Sequence, residues 1–397
     1  MAKVSIIMPA CNVQSFLKEC MDSVVSQTLE DIEIICVDDG STDSTGEILD
    51  QYAQADSRVK VIHKVNTGYG NSMNVGLDAA SGEYIGIIET DDFAELDMFE
   101  KLYDTAKNYD ADVVKSNYYT YVSNPQPKST FFEVLEPFHK YNTVFCPLDF
   151  QDVFRVRPCI WTGLYRRAML EENQVRFHET PGASYQDTAF AFKVWTSAKR
   201  AVLVKDAYLH YRTDNANSSV KSAAKIFCLC DEYAELERFL DRFPKKKERL
   251  ETLKNYLKYE SYRWNYERLS LEYKYCFLLK MKEELLEARE QGKLDPSFFQ
   301  DFQWAKLTRI LDDTDEFFKE TCRNELKKSG VLKLQKESKR LNKENKLLKK
   351  ENKLLQKENK HLKGRIRDIE TSASYKIGRK VTFVPGKIKK KLKGSDE

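Results

Sequence analysis

The sequence predicts an α/β protein with a mostly parallel sheet flanked by helices, followed by a helical subdomain and a C-terminal coiled coil. Three observations carry that expectation. Short apolar runs at 4–8, 32–37, 59–63 and 85–88 alternate with segments of helical spacing, the pattern of buried parallel strands joined by crossover helices. Residues 222–327 are rich in Leu, Tyr, Phe, Lys and Glu, with Pro and Gly confined to Pro244, Gly292 and Pro296. Leucine then recurs every seventh residue at Leu334, Leu341, Leu348, Leu355 and Leu362. The expected divisions are 1–221 for the α/β domain, 222–330 for the helical subdomain, 331–370 for the coiled coil and 371–397 for a basic amphipathic tail.

Val4 to Met8 reads as the first strand, stopped by Pro9, and 15–27 as a helix with Phe16, Leu17, Cys20, Val24 and Val25 on one face. A second apolar strand over 32–37 runs into Asp38, Asp39, Gly40 and Ser41. A helix over 45–53, a strand over 59–63, a helix over 71–79 and a strand over 85–88 continue the alternation. Next come a helix over 93–110, a strand over 111–116 and an irregular aromatic stretch over 118–150 holding Pro125, Pro127, Pro137 and Pro147. Parallel sheets bind ligands beyond the C-terminal ends of their strands. The polar groups gather at those ends: Pro9 to Asn12, Asp38 and Asp39, Asn66 to Asn71, and Glu89 to Asp92.

The chemical focus is 84–92 (YIGIIETDD), an apolar strand ending in three carboxylates that no core holds unpaired. Such carboxylates are hard oxygen ligands, suited to Mg2+ or Mn2+ bridging nucleotide phosphates. The competing reading is a solvated turn in which Asp92 caps the following helix. No GxxxxGK[ST] loop is present, and Gly68, Tyr69 and Gly70 lack the third glycine of a dinucleotide fingerprint because Met73 occupies its place. A metal at Asp91 would then neutralise phosphates in place of a glycine loop and lysine. Asp38 and Asp39 stand where a ribose or base N–H would be met, or else form only a turn leading into a helix.

Together, 4–12 (VSIIMPACN), 20–28 (CMDSVVSQT), 34–43 (IICVDDGSTD) and 82–92 (GEYIGIIETDD) resemble the family 2 glycosyltransferases, nucleotide-sugar enzymes of the GT-A fold. The resemblance implies that Pro9, Ala10, Asn12, Asp38 and Asp39 hold the nucleoside, usually uridine. It also implies further donor contacts from Asn66, Gly70, Asn74, Glu89 and Thr90, and a metal motif at 89–91. Glu89 stands where Asp is commoner, and Met73 where many members carry Arg.

The 118–150 stretch is then expected on the acceptor side. Sugar transfer needs a base near the acceptor hydroxyl, and Asp187, at a loop-to-helix boundary beside an aromatic residue in 179–190 (ETPGASYQDTAF), suits that role. The alternative is Asp187 as the N-cap of a helix over 188–198. The family pattern implies a Glu-Asp pair at this position, and Gln186 replaces the Glu. Trp161 is placed to stack on a sugar face or to fill the core, and with Gln186 it forms the expected acceptor set. The segment 208–212 (YLHYR) with Asn217, Ser218 and Ser219 resembles the part of the family that closes over the diphosphate. It implies a phosphate contact from Arg212 and a further metal ligand in His210, for which packing among aromatics is the rival reading.

With leucine at d, the a positions of the heptads are Val331, Ser338, Asn345, Asn352, Asn359 and Ile366, and asparagine at a favours a parallel pair in register. Residues 331–397 carry 22 Lys+Arg against 8 Asp+Glu, a charge of +14, which leaves −11 for 1–330. That division argues for a tail with its own anionic partner and against nucleic-acid binding by the body. Between 372 and 393, Lys and Arg alternate with apolar residues and no acid, which suits an anionic membrane surface, with RNA as the rival. Nine cysteines without CxxC pairing point to a reducing compartment, and the opening apolar run is too short for a signal peptide.

These features converge on a cytoplasmic transferase, peripheral at the inner face of the cell membrane and dimeric through its coiled coil. It would use Mn2+ or Mg2+ to move a sugar from a UDP-sugar to a saccharide or lipid-linked hydroxyl in cell-surface polysaccharide synthesis, with inversion. The rival of another class is a non-catalytic scaffold acting through coiled coil and tail. A nucleotidyltransferase would show a Gly-rich basic loop after the first strand, and 9–14 has none.

Overall fold

The computed structural model describes residues 2–138, 140–215, 225–329 and 332–371. Two compact units meet between Glu320 and Thr321. In the first, β1 (Val4–Ala10), α1 (Gln14–Val25), β2 (Ile32–Asp39), α2 (Thr45–Ala55), β3 (Val59–Lys64), α3 (Tyr69–Ala79) and β4 (Tyr84–Ile87) alternate as the apolar runs predict. Then follow β5 (Phe93–Ala94), α4 (Met98–Asn108), β6 (Val113–Val122), β7 (Lys128–Phe132), β8 (Gly163–Arg166), α5 (Arg167–Glu172), α6 (Gln186–Ser197) and β9 (Ala201–Arg212).

The sheet order is β3-β2-β1-β4-β8-β6-β9-β5, with β7 on β6. Its first four strands are parallel, and β1 and β2 are buried along their whole lengths, which is why they read as mainly apolar runs; the polar Ser5 and Glu33 within them are buried and hydrogen-bonded to each other. Beyond them the sheet is mixed, because β8 runs antiparallel to both β4 and β6. Burial pattern fixes which residues face the core but not the direction of the neighbouring strand.

Two expectations are corrected. Phe93 and Ala94, expected to start a helix, instead pair with His210 and Leu209 of β9, and the helix starts at Met98. The aromatic stretch expected to be irregular is partly a hairpin, with β6 running to Val122 and Tyr118 to Val122 pairing with Phe132 to Lys128. Pro125 and Pro127 fall in its turn, where no ladder N–H is needed.

The helices α7 (Cys228–Asp241), α8 (Pro244–Arg268), α9 (Leu271–Glu290), α10 (Asp301–Asp312) and α11 (Thr314–Thr321) follow, as the helical spacing predicts. The link that matters for the site is α6, which is buried nearly all round, as a helix covered on both sides must be. Lys193 of α6, 2 % exposed, donates to Glu235 of α7 at 2.6 Å and to the Arg176 carbonyl at 3.0 Å. The second half of α6 is thereby tied to α7 and to the loop that follows α5.

The second unit holds α12 (Arg323–Ser329) and α13 (Leu332–Thr371). Along α13, Leu341, Leu348, Leu355, Leu362 and Ile366 are each about half exposed. Val331 and the basic stretch 372–397 lie outside the described residues, as do Asn217, Ser218 and Ser219.

Candidate active site

The C-terminal ends of β1, β2 and β4 and the loop entering α6 enclose a cleft of about 420 Å³. Pro9, Ala10, Asp39, Asn66, Glu89, Thr90, Asp91, Trp161, Gln186 and Asp187 line it, which brings together residues drawn from six separate sequence segments. Thr90 is held by its hydroxyl, which donates to the Pro9 carbonyl at 2.8 Å and so clips the end of β4 to β1.

Asp39 organises the next loop. Its Oδ1 accepts from the Thr67 N–H at 2.8 Å and from Lys64, and its Oδ2 accepts from the Gly68 N–H at 2.9 Å. Asp38, expected beside it on the nucleoside, is turned the other way because strand neighbours point to opposite faces. It accepts from the Ser41 N–H and pairs with His63 Nδ1, both at 3.0 Å. Asn12 also leaves the cleft wall. With φ at +54°, it accepts from the Thr42 N–H at 2.8 Å and ties the end of β1 to the turn after β2.

Gly70 and Asn74, expected at the donor, instead build the support beneath the α6 loop. A Cβ at Gly70 would stand 2.1 Å from the His178 carbonyl oxygen, so only glycine lets the two backbones approach. The Asn74 amide accepts from the Phe177 N–H at 2.9 Å and donates to the Phe177 carbonyl at 3.0 Å and to Glu179 at 2.9 Å. Met73 is fully buried and packs in the core.

The carboxylates after β4 divide among three tasks. Asp91 faces the cleft and accepts from the Asn215 amide at 2.9 Å. Asp92 points inward, where Oδ1 accepts from the Arg212 N–H at 2.8 Å and Oδ2 has no partner among the described residues. Burial, reinforced by Asp91, holds its carboxyl well above the usual range. Glu89 accepts from the Tyr69 hydroxyl at 2.6 Å, and burial with the nearby Asp91 and Asp187 charges pushes its carboxyl up to about 8.

The other two expected ligands of the donor end are engaged elsewhere. His210 uses Nδ1 on the Ser129 hydroxyl at 2.7 Å and Nε2 on Glu95 at 2.8 Å, and is stacked between Phe93 and Tyr119. No ring nitrogen is left for a metal. Arg212 pairs with Glu19, donates to the Asp91 carbonyl at 2.9 Å, and lies over the Phe16 and Tyr121 rings, so its guanidinium braces the 91–92 turn and does not face the cleft.

At the opposite wall, Tyr185 adopts a left-handed conformation with φ at +66° and starts α6, which puts Asp187 in the first turn and not at the cap. Burial pushes the Asp187 carboxyl up to about 6, against the opposing pull of the Thr188 N–H, which donates to it at 2.9 Å, and of the Arg157 charge. A carboxylate of that kind is poised to accept a proton near neutral pH. The Gln186 side chain is spent inside its own loop, accepting from the Ser184 N–H at 2.5 Å and donating to Thr180 at 2.9 Å and the Gly182 carbonyl at 3.1 Å. It shapes the loop that presents Asp187. Trp161 stacks on Tyr211 with ring centres 5.1 Å apart, forming a flat aromatic wall. Sequence reading missed Tyr69, Tyr185, Tyr211 and Asn215, whose neighbours in sequence carry no signal that they meet across the cleft.

A resident divalent cation would have to fit this set. Among the described residues no three His, Cys, Asp or Glu side chains converge as a complete ligand cage. The chemistry still suits Mg2+ or Mn2+, which take one or two carboxylates and complete their shell with substrate phosphates and water. Asp91 is a carboxylate of that kind, lining the cleft with Asp39, Glu89 and Asp187.

Residues 5–172 match the family described as Glycosyl transferase family 2. The uncharacterized glycosyltransferase EpsJ of Bacillus subtilis (strain 168) is 34 % identical over 229 residues, covering 54 % of this chain and 62 % of EpsJ, so the chain spans less than two thirds of that relative. The glycosyltransferase GlyG of Streptococcus pneumoniae serotype 4 is 32 % identical over 223 residues, covering 53 % of this chain and 70 % of GlyG. The crystal structure of S. aureus TarS 1-349 in complex with UDP-GlcNAc aligns with a TM-score of 0.49 at 19 % identity, over 68 % of this chain and 82 % of that one.

Proposed function

Because the chain belongs to glycosyl transferase family 2, we propose that it moves a sugar from a UDP-sugar to a hydroxyl of a saccharide or lipid-linked acceptor in cell-surface polysaccharide synthesis. The observation that carries the reading is that Asp39, Asp91 and Asp187 line one cleft at the strand ends. Asp39 and the loop it orders meet the nucleoside, with Pro9, Ala10 and Asn66 beside it. Asp91 would hold Mg2+ or Mn2+, which when bound neutralises the diphosphate charge.

Asp187 takes the proton of the acceptor hydroxyl. A bond forms from that oxygen to the anomeric carbon, the bond from that carbon to the β-phosphate oxygen breaks, and UDP leaves. One displacement from the far side inverts the anomeric configuration. Trp161 and Tyr211 offer a flat face for a sugar ring.

The exposed leucines of α13 support self-association as a coiled coil. No described helix is long and apolar enough to cross a membrane. We place the chain in the cytoplasm at the inner face of the membrane, where the basic composition of 372–393 meets anionic lipid.

The test is UDP release from a panel of UDP-sugars, with Mn2+ or with EDTA, by wild type, Asp91→Ala and Asp187→Ala. Turnover of one donor that needs the cation and is lost in both variants is expected. A wild type that binds UDP yet turns over no donor, even with saccharide and lipid acceptors present, would sink the transferase reading in favour of a scaffold.

A further inference from the structure

The helix α13 carries a row of lysines that its leucine seam does not use. Lys343, Lys346, Lys350, Lys353, Lys357 and Lys360 alternate at three and four residues, the spacing of one helical face, and all six are exposed. At 1.5 Å per residue the row runs for roughly 25 Å. With leucine at d, these lysines take the b and f positions, which point away from a partner helix, so self-association leaves the row open.

The acids of the helix stand elsewhere. Glu351 has Leu347, Leu348, Leu354 and Leu355 at the four positions three and four residues away, and Glu358 has Leu354, Leu355, His361 and Leu362. Side chains one or two residues apart on a helix do not face each other, so these carboxylates leave the row unneutralised. Like charges three and four residues apart repel, and the row therefore costs the helix stability in water. A negative surface lying along it reverses the sign.

Beside the row stand Leu347 and Leu354, 64 % and 67 % exposed, more open than the seam leucines at d. They fall at c, outside the a/d seam, and lie three or four residues from Lys343, Lys350 and Lys357, which makes them its border. Lysines alone would suit any polyanion, nucleic acid included. Two open leucines gain nothing from a strand of phosphates, whereas at a bilayer surface they enter the acyl boundary while the lysines meet the headgroups.

We propose that this lysine and leucine face of α13 lies along an anionic membrane leaflet. The inference rests on the reading that places the chain at the inner face of the membrane, and it assigns the contact to α13 in addition to 372–393.

The experiment sediments the full chain with vesicles of phosphatidylcholine, alone or with about one third phosphatidylglycerol, at physiological ionic strength. Three proteins are compared with wild type: Lys346→Gln with Lys350→Gln and Lys353→Gln; Leu347→Ser with Leu354→Ser; and, in the tail, Lys387→Gln with Lys389→Gln, Lys390→Gln and Lys391→Gln. Wild type should bind the anionic vesicles and not the neutral ones. The lysine variant of α13 should bind about a hundredfold more weakly, the factor for three charges near such a surface, and the leucine variant about tenfold more weakly. Glutamine matches lysine as a helix former, so circular dichroism, the sedimentation coefficient without vesicles and UDP release should stay as in wild type.

Anionic-vesicle binding unchanged in the lysine variant would overturn the proposal, and a loss confined to the tail variant would leave the membrane reading standing without it. Single-stranded poly(A) bound as tightly as the vesicles, with the leucine variant unchanged, would overturn it in favour of nucleic acid. A loss in the α13 variants with none in the tail variant would uphold α13 and defeat the contact assigned to 372–393.

Discussion

Asp187→Asn separates catalysis from packing because the two should move in opposite directions. The amide keeps an oxygen for the Thr188 N–H that donates to Asp187 at 2.9 Å, so the local hydrogen bond survives. What disappears is a desolvated charge. Burial raises the carboxyl from 3.8 to about 6. A raised folded-state value means that the stability this group contributes is fully present below 3.8 and lost as the pH rises through about 6. At pH 7.5 the ionised Asp187 therefore costs up to about 3 kcal/mol, two pKa units at about 1.4 kcal/mol each. The neutral variant should melt at the same temperature as wild type or higher. Its kcat should fall by about 10²–10⁴, the usual contribution of a positioned general base.

The same value shapes the wild-type pH profile. kcat/KM should be flat above about 6 and fall tenfold for each unit below it. The assay is UDP release across pH 4.5–8.5, with thermal denaturation of both proteins in the same buffers. An acid limb near 4, or an Asn variant that is active and less stable, would refute the reasoning.

Asn74→Ala removes the three hydrogen bonds that pin residues 177–179 and leaves the Phe177 N–H without its acceptor; urea denaturation should show a loss of about 2–4 kcal/mol. For Glu33, burial would raise the carboxyl, but bonds from Lys60, Ser5 and Ser81 outweigh it and bring it to about 2. The stability it contributes is present above about 4.5 and lost as the pH falls toward 2, so Glu33→Gln should cost about 2–3 kcal/mol at pH 7 and flatten the acid side of the stability curve. Leu348→Lys with Leu355→Lys breaks the apolar stripe of α13, and sedimentation should then report a smaller species than wild type; an unchanged coefficient would argue against the coiled coil.

What the sequence determined by itself was local and periodic. Short, mainly apolar runs located β1 to β4, most clearly β1, β2 and β4, whose residues are buried on both faces, and helical spacing located α1 to α3 and the helical layer. Strand ends rich in carboxylates then pointed to Asp39 and Asp91, since ligands of such sheets bind there, and the base that sugar transfer needs pointed to Asp187 at a loop-to-helix boundary. Direction and partner choice were not local. The antiparallel entry of β8, the use of Phe93 as a strand residue and the hairpin through 118–132 depend on which chain segment lies alongside, and burial pattern is silent on that.

The same holds for the side chains that changed role. Asn74 reaches residues about a hundred positions away at Phe177, Arg212 braces Asp92, and His210 is saturated by Ser129 and Glu95. Tyr185 gives no sign in sequence that its hydroxyl is buried with no hydrogen-bond partner among the described residues. A polar side chain's chemistry is decided by the partners that satisfy it, and only the tertiary structure assigns those partners.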